Sequence, residues 1–331
     1  MTADDLWQDP SNEEIYLTDG GLETSMIFHE GLDLPQLCAF DLLRSARGRQ
    51  ALHDYFARYA KIANERGLGF ILDSATWRAS PDWGLKLGYG EADLADAIRA
   101  SVRLIEEVRT LYQASKPMIL NGAMGPRGDG YQVTERTTPE AARDYHAFLA
   151  GHLAEAGVEM LSAITMTNAA EAAGIALAAR DLGLPVAVSF TVETDGRLPS
   201  GETLKEAITF VDRRTDGYPA FFMINCAHPT HFWNTIECQE DWVRRIRGLR
   251  ANASALSHAE LDDAKTLDDG DALALGASYR AVRALQPQIT VLGGCCGTDH
   301  RHLDAIGRCC AGEDRRRMEP QTRERSAAAI L

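Results

Sequence analysis

The chain alternates short apolar runs with longer stretches whose apolar residues recur at three- and four-residue steps. The first run, Ile15-Tyr16-Leu17, leads into Thr18-Asp19-Gly20-Gly21, a turn in which glycine permits backbone geometry that other residues resist. From 51 to 66, Leu52, Tyr55, Phe56, Tyr59 and Ile62 fall on one helical face, and Gly67 closes the helix. The pairing then repeats. Residues 70–72 predict a strand and 91–113 a helix; 118–120 a strand and 139–156 a helix with Thr138 as its N-cap. Next come 160–164 with 169–181, and 185–190 with 204–211. Residues 221–225 predict a sixth strand before a short helix at 242–247, and 249–252 a weak seventh strand before a helix at 272–285. An eighth strand at 290–292 precedes a last helix at 302–310.

Strands that alternate with helices eight times over fit a parallel (β/α)8 barrel. A doubly wound open sheet is the alternative, but the glycine fingerprint of a dinucleotide site is absent. No linker divides the chain, so 1–312 reads as one barrel domain and 313–331 as a polar tail.

Composition narrows the function. The chain has 331 residues, 45% hydrophobic and 25% charged, and no apolar run nears the ~18 residues of a membrane span. A formal net charge of −14 argues against nucleic acid or an anionic membrane as partner. The one basic cluster, Arg315 to Arg317 with Arg323 and Arg325, falls in the tail and is assigned no role. The acidic start, Met1-Thr2-Ala3-Asp4-Asp5, lacks the features of a secretory signal, so a cytoplasmic protein is expected, with homo-oligomer formation left open. Seven cysteines in such a chain fit reduced thiols or a metal better than a disulfide framework.

Three of those cysteines follow predicted strands. Cys226 ends Phe221-Phe222-Met223-Ile224-Asn225-Cys226, and Cys295 and Cys296 sit in Val291-Leu292-Gly293-Gly294-Cys295-Cys296-Gly297-Thr298. In a barrel, the loops after the strands converge on one face, which brings the three together. Three thiolates suit Zn²⁺ and leave a fourth position for substrate. A redox-active pair would take the Cys-x-x-Cys form, a zinc hydrolase would favour histidine and carboxylate ligands, and a non-catalytic zinc sensor would fill the fourth position with a protein group. Cys38, Cys238, Cys309 and Cys310 read as small buried hydrophobes. Asp19, at the end of the first strand, is the leading polar candidate in the barrel mouth, and Asn225 is placed to orient the backbone beside Cys226.

With Asp19-Gly20-Gly21, Asn225-Cys226 and Gly293-Gly294-Cys295-Cys296-Gly297-Thr298 in this order, the chain resembles the zinc-dependent homocysteine S-methyltransferase family, which includes betaine- and S-methylmethionine-dependent enzymes. The resemblance implies a (β/α)8 barrel, Zn²⁺ on Cys226, Cys295 and Cys296, and methyl transfer from a small-molecule donor to a thiol acceptor, by default L-homocysteine. It places the amino-acid end of the acceptor against Asp19, with Gly20 and Thr24 beside it. A sulfonium or quaternary ammonium donor suits aromatic faces, for which Trp77, Trp83 and Tyr89 are candidates, followed by Phe28 and Tyr131.

Two departures bear on the acceptor. The family carries a glutamate at the end of the fourth strand, where Ser162-Ala163-Ile164-Thr165-Met166-Thr167 has Ile164, and a Thr-Asn-Thr after the second strand, where this chain has Ser74-Ala75-Thr76. The missing carboxylate leaves open a thiol other than homocysteine. Glu193, just past the fifth strand, is the candidate replacement. His228 and His231 are candidates to line the pocket or complete a mixed site, while His258, His300 and His302 read as surface or helix-end residues.

Overall fold

In a computed structural model, the protein is described over residues 14–311, apart from 113, 115, 134–136, 263 and 265. The expected polar tail at 313–331 lies outside the described residues. Eight parallel strands close into a barrel in sequence order: β1 Tyr16–Leu17, β2 Gly69–Asp73, β3 Met118–Met124, β4 Met160–Met166, β5 Val186–Thr191, β6 Phe221–Asn225, β7 Ile246–Ala251 and β8 Val291–Gly294. Closure comes from Tyr16 pairing with Val291 and Leu17 with Leu292. Each strand is followed by a principal helix: α1 Ala46–Glu65, α2 Glu91–Thr110, α3 Pro139–Glu155, α4 Ala169–Asp181, α5 Leu204–Thr215, α6 Pro229–Ile236, α7 Ala272–Leu285 and α8 His300–Cys310. No described helix is long and apolar enough to cross a membrane.

Local chemistry accounts for most of these boundaries. The α1 stripe buries Leu52, Tyr55, Phe56 and Tyr59 as the period requires. Thr138 caps α3 through the Ala141 N–H, and Thr203 and Glu206 form a reciprocal capping box on α5. Two strands differ from their sequence reading. β3 runs on through Asn121-Gly122-Ala123-Met124, which looks like a turn only until it pairs with β4. β7 begins at Ile246, where a helix was expected. Of its two charged residues, Arg250 faces the polar interior at the C-terminal mouth, while Arg247 lies near the strand's N-terminal end.

The barrel interior is filled by Tyr16, Ile71, Ile119, Met160, Phe221 and Met223 among others, and a larger apolar layer lies between strands and helices. Each such large side chain contributes roughly 1.5–3 kcal/mol on burial. Glycine makes room for the largest of them. A Cβ at Gly69 would lie 2.3 Å from the Tyr16 ring, and one at Gly248 2.3 Å from Met223. The core thus seals the lower barrel and leaves the C-terminal mouth to polar groups.

Candidate metal centre and active-site cavity

The strand order that closes the barrel also assembles the cysteines. Asn225 of β6 pairs with Arg250 of β7, which pairs with Gly293 of β8, so Cys226 and Cys295 emerge on either side of β7 with Cα atoms separated by 5.4 Å. Cys226 and Cys295 are joined as a disulfide, and the sulfurs of Cys226, Cys295 and Cys296 all lie within 4.8 Å of one another. Among the described residues this is the one group of three or more potential ligands with metal-site spacing. An ion held at about 2.3 Å from each of three tetrahedral sulfurs sets them roughly 3.8 Å apart, so the spacing fits zinc once the pair is reduced to thiolates.

Backbone strain aims these residues. Cys226 has φ of +52° and Thr165, at the end of β4, φ of +63°, a region that costs non-glycine residues about 1–3 kcal/mol each. Asn225 holds Thr165 from both sides: its Oδ1 accepts the Thr165 N–H at 3.0 Å and its Nδ2 donates to Thr165 Oγ1 at 2.7 Å. Ser189 Oγ donates to the same Oδ1 at 2.6 Å. His258 does the equivalent for Cys226, with Nε2 at 2.5 Å from the Cys226 carbonyl oxygen and Nδ1 at 3.0 Å from Glu193 Oε1. The Tyr131 ring lies over His258 at a centroid distance of 4.3 Å, and its hydroxyl reaches Cys296 Sγ at 3.5 Å and Cys226 Sγ at 3.8 Å.

A cavity of about 360 Å³ opens over the sulfurs. Part of its floor is a hydrogen-bonded arc across the strands. Arg250 donates to Asp19 and to Asp73, Asn121 Nδ2 donates to Asp73 at 2.7 Å, and Ser162 Oγ donates to Asn121 Oδ1 at 3.1 Å. Tyr55, from α1, donates to the second Asp19 oxygen at 3.1 Å. Burial pushes the Asp19 carboxyl up to about 7, opposed by the attraction of Arg250. Above the arc, Trp77, Tyr131 and Phe28 give the cavity aromatic surface, and Ile164 an apolar one.

Asp19, Gly20, Thr24, Trp77, Cys226, Cys295 and Cys296 therefore all line one cavity. Gly21 is needed for this meeting of β1 and β8, since a Cβ there would lie 2.6 Å from the Cys295 carbonyl oxygen. Asn225 lies beneath, as a positioning residue. Glu193 does not line the cavity: it packs behind His258, because the loop after β7 inserts between it and the cysteines. His228 instead caps α6 and His231 contacts the Ala255 carbonyl, both outside the cavity. Trp83 and Tyr89 also lie away from it, Trp83 beneath the Arg78 and Lys86 side chains and Tyr89 donating to Asp41 at 2.8 Å.

His258, expected at the surface, is buried beside the cysteines. Glu23, Asp73 and Arg250 line the cavity without having been singled out by the sequence reading. For Arg250 a signal existed: a charge inside a run that must be a strand if eight are to close the barrel marks a side chain facing a polar interior.

The homocysteine S-methyltransferase family profile matches residues 16–310, and the chain belongs to this family of methyltransferases. Its fold is similar to that of the homocysteine methyltransferase MmuM from Escherichia coli. The oxidised form matches with a TM-score of 0.68 at 19% identity, covering 90% of this chain and 99% of that one. The metallated form matches with a TM-score of 0.67 at 20% identity, over the same shares of each chain. No curated relative matches the chain in sequence.

Proposed function

We propose that the protein is a zinc-dependent methyltransferase that moves a methyl group from a sulfonium or quaternary ammonium donor to a thiol acceptor, with L-homocysteine as the default. The observation that carries this reading is the convergence of the Cys226, Cys295 and Cys296 sulfurs within 4.8 Å at the floor of a cavity large enough for small substrates. Zinc on these cysteines supplies the acidity that makes a thiol a nucleophile at neutral pH, where a free thiol of pKa about 8.5 is mostly protonated. A reducing cytoplasm keeps the three ligands available.

The remaining chemistry falls to positioning. As the acceptor sulfur bonds to the methyl carbon, the donor's carbon–sulfur or carbon–nitrogen bond breaks and its electron pair neutralises the donor cation; the thiol proton leaves to solvent. That displacement needs the donor in line with the sulfur. Trp77, Tyr131 and Phe28 offer π-surface to a cation that has no N–H to donate. Asp19 is held in place by Arg250 and Tyr55 on the acceptor's side. The apolar Ile164, where the family has a glutamate, favours a second reading with the same chemistry on a different thiol.

Metal analysis and a methyl-transfer assay test the proposal together. Reduced wild type should carry about one zinc per chain and methylate a thiol from S-methylmethionine, S-adenosylmethionine or betaine, and Cys226→Ala should lose both metal and turnover while remaining folded. A zinc-loaded wild type that methylates none of homocysteine, cysteine or glutathione from any of these donors would refute it.

A further inference from the structure

Resting on the reading of a thiol acceptor above, we infer that Glu23 is the specificity-determining carboxylate for the acceptor's amino group, taking over from the β4 position occupied by Ile164. Glu23 sits in the one-turn helix Leu22–Thr24, directly after Asp19-Gly20-Gly21. That turn is fastened to the cysteine loop, because Thr24 Oγ1 accepts the Gly297 N–H at 3.3 Å. Glu23 lines the same cavity as the three sulfurs. Among the described residues no other side chain hydrogen-bonds to its carboxylate, which receives only its own backbone N–H.

The surrounding cations are engaged elsewhere. Arg250 serves Asp19 and Asp73, and Arg78 donates to the Gln36 carbonyl at 2.6 Å with Asp129 at 3.8 Å. Burial accordingly raises the Glu23 carboxyl above its usual range, and Arg78 and Arg250 pull it back only in part. A ligand that brings its own positive charge and N–H donors relieves that cost.

The two cationic groups expected in the cavity divide by chemistry. A sulfonium or quaternary ammonium centre has no N–H and suits the Trp77, Tyr131 and Phe28 surfaces. A primary ammonium needs an acceptor, and a carboxylate forms charge-assisted hydrogen bonds with it. Glu23 therefore fits the ammonium of an aminothiol, with the thiol end at the cysteines.

Zinc-loaded wild type and Glu23→Gln are compared on homocysteine and on 4-mercaptobutanoate, which lacks only the amino group. For homocysteine, KM should rise about ten- to hundredfold in Glu23→Gln with kcat little changed, the loss expected for one charged hydrogen bond. The 4-mercaptobutanoate constants should not differ between the two proteins, nor should the donor KM. An unchanged homocysteine KM, or an equal rise for both thiols, overturns the inference. Calorimetric titration with homocysteine reads the same contrast without turnover. Wild type that binds homocysteine more tightly than Glu23→Gln yet methylates nothing refutes only the proposed function; equal binding by both, or none by the wild type, refutes the role of Glu23. Should the variant not fold, wild type that handles both thiols equally well also overturns it.

Discussion

His258 Nε2 lies 2.5 Å from the carbonyl oxygen of Cys226, so a side chain from the loop after β7 fixes the left-handed backbone of a candidate metal ligand directly after β6. Glu193 in turn holds the far side of the imidazole at 3.0 Å, and Tyr131 covers its face. The relationship couples four loops at the point where one sulfur is aimed.

Because that hydrogen bond restrains a strained ligand backbone, His258→Ala is expected to weaken zinc binding about 10- to 100-fold while leaving the three cysteines in place. Competition against a chromophoric chelator measures this directly. An unchanged affinity would mean that the turn at Cys226 holds its own conformation.

The guanidinium of Arg250 is buried between Asp19 and Asp73. Arg250→Met leaves two carboxylates facing each other out of water, and such a change costs about 3–5 kcal/mol. Urea unfolding should show the loss as a lower midpoint at an unchanged slope. A loss below about 1 kcal/mol would indicate that solvent reaches the pair.

Asp299 caps α8 three residues beyond Cys296. Although burial alone would raise its carboxyl, hydrogen bonds from His302 and Arg301 hold it well below the usual carboxylate range. Its folded-state pKa is thus depressed, so its contribution is complete above the unfolded value of about 3.9 and is lost as pH falls below it. Asp299→Asn keeps the cap but removes the charge. The variant should be about 1 kcal/mol less stable at pH 7, a figure reduced for the exposed Arg301, and the gap should close toward pH 3. Parallel denaturation curves at several pH values test the sign, and a gap that widens in acid would contradict it.

Trp77 lines the cavity while its indole Nε1 donates to the Ile164 carbonyl at 3.1 Å, an arrangement that fixes the ring plane. If it contacts the cationic donor, Trp77→Leu should raise the donor KM about 3- to 30-fold, in keeping with a cation–π contact of roughly 0.5–2 kcal/mol. The acceptor KM should hardly move. Steady-state kinetics varied in each substrate separate the two, and a selective effect on the acceptor would move Trp77 to the other end of the pocket.

The alternation of strand and helix is legible in the sequence because hydrophobic period is a local property. Even β7, disguised by Arg247 and Arg250, is demanded by the count of eight. Cys226, Cys295 and Cys296 are legible for a related reason: residues just after parallel strands of a barrel must share one face, whatever their separation along the chain. The lining of the cavity is different. Whether Glu193 or Glu23 presents its carboxylate there depends on how the loop after β7 places His258 and on how the turn after β1 is fastened to Gly297. Likewise, Trp77 enters while Trp83 and Tyr89 pack elsewhere in the same long connection. Those outcomes follow from long-range contacts between loops, for which no periodicity exists. The sequence by itself determined the barrel and the meeting of its three cysteines, and the tertiary structure decided which charges and rings surround them.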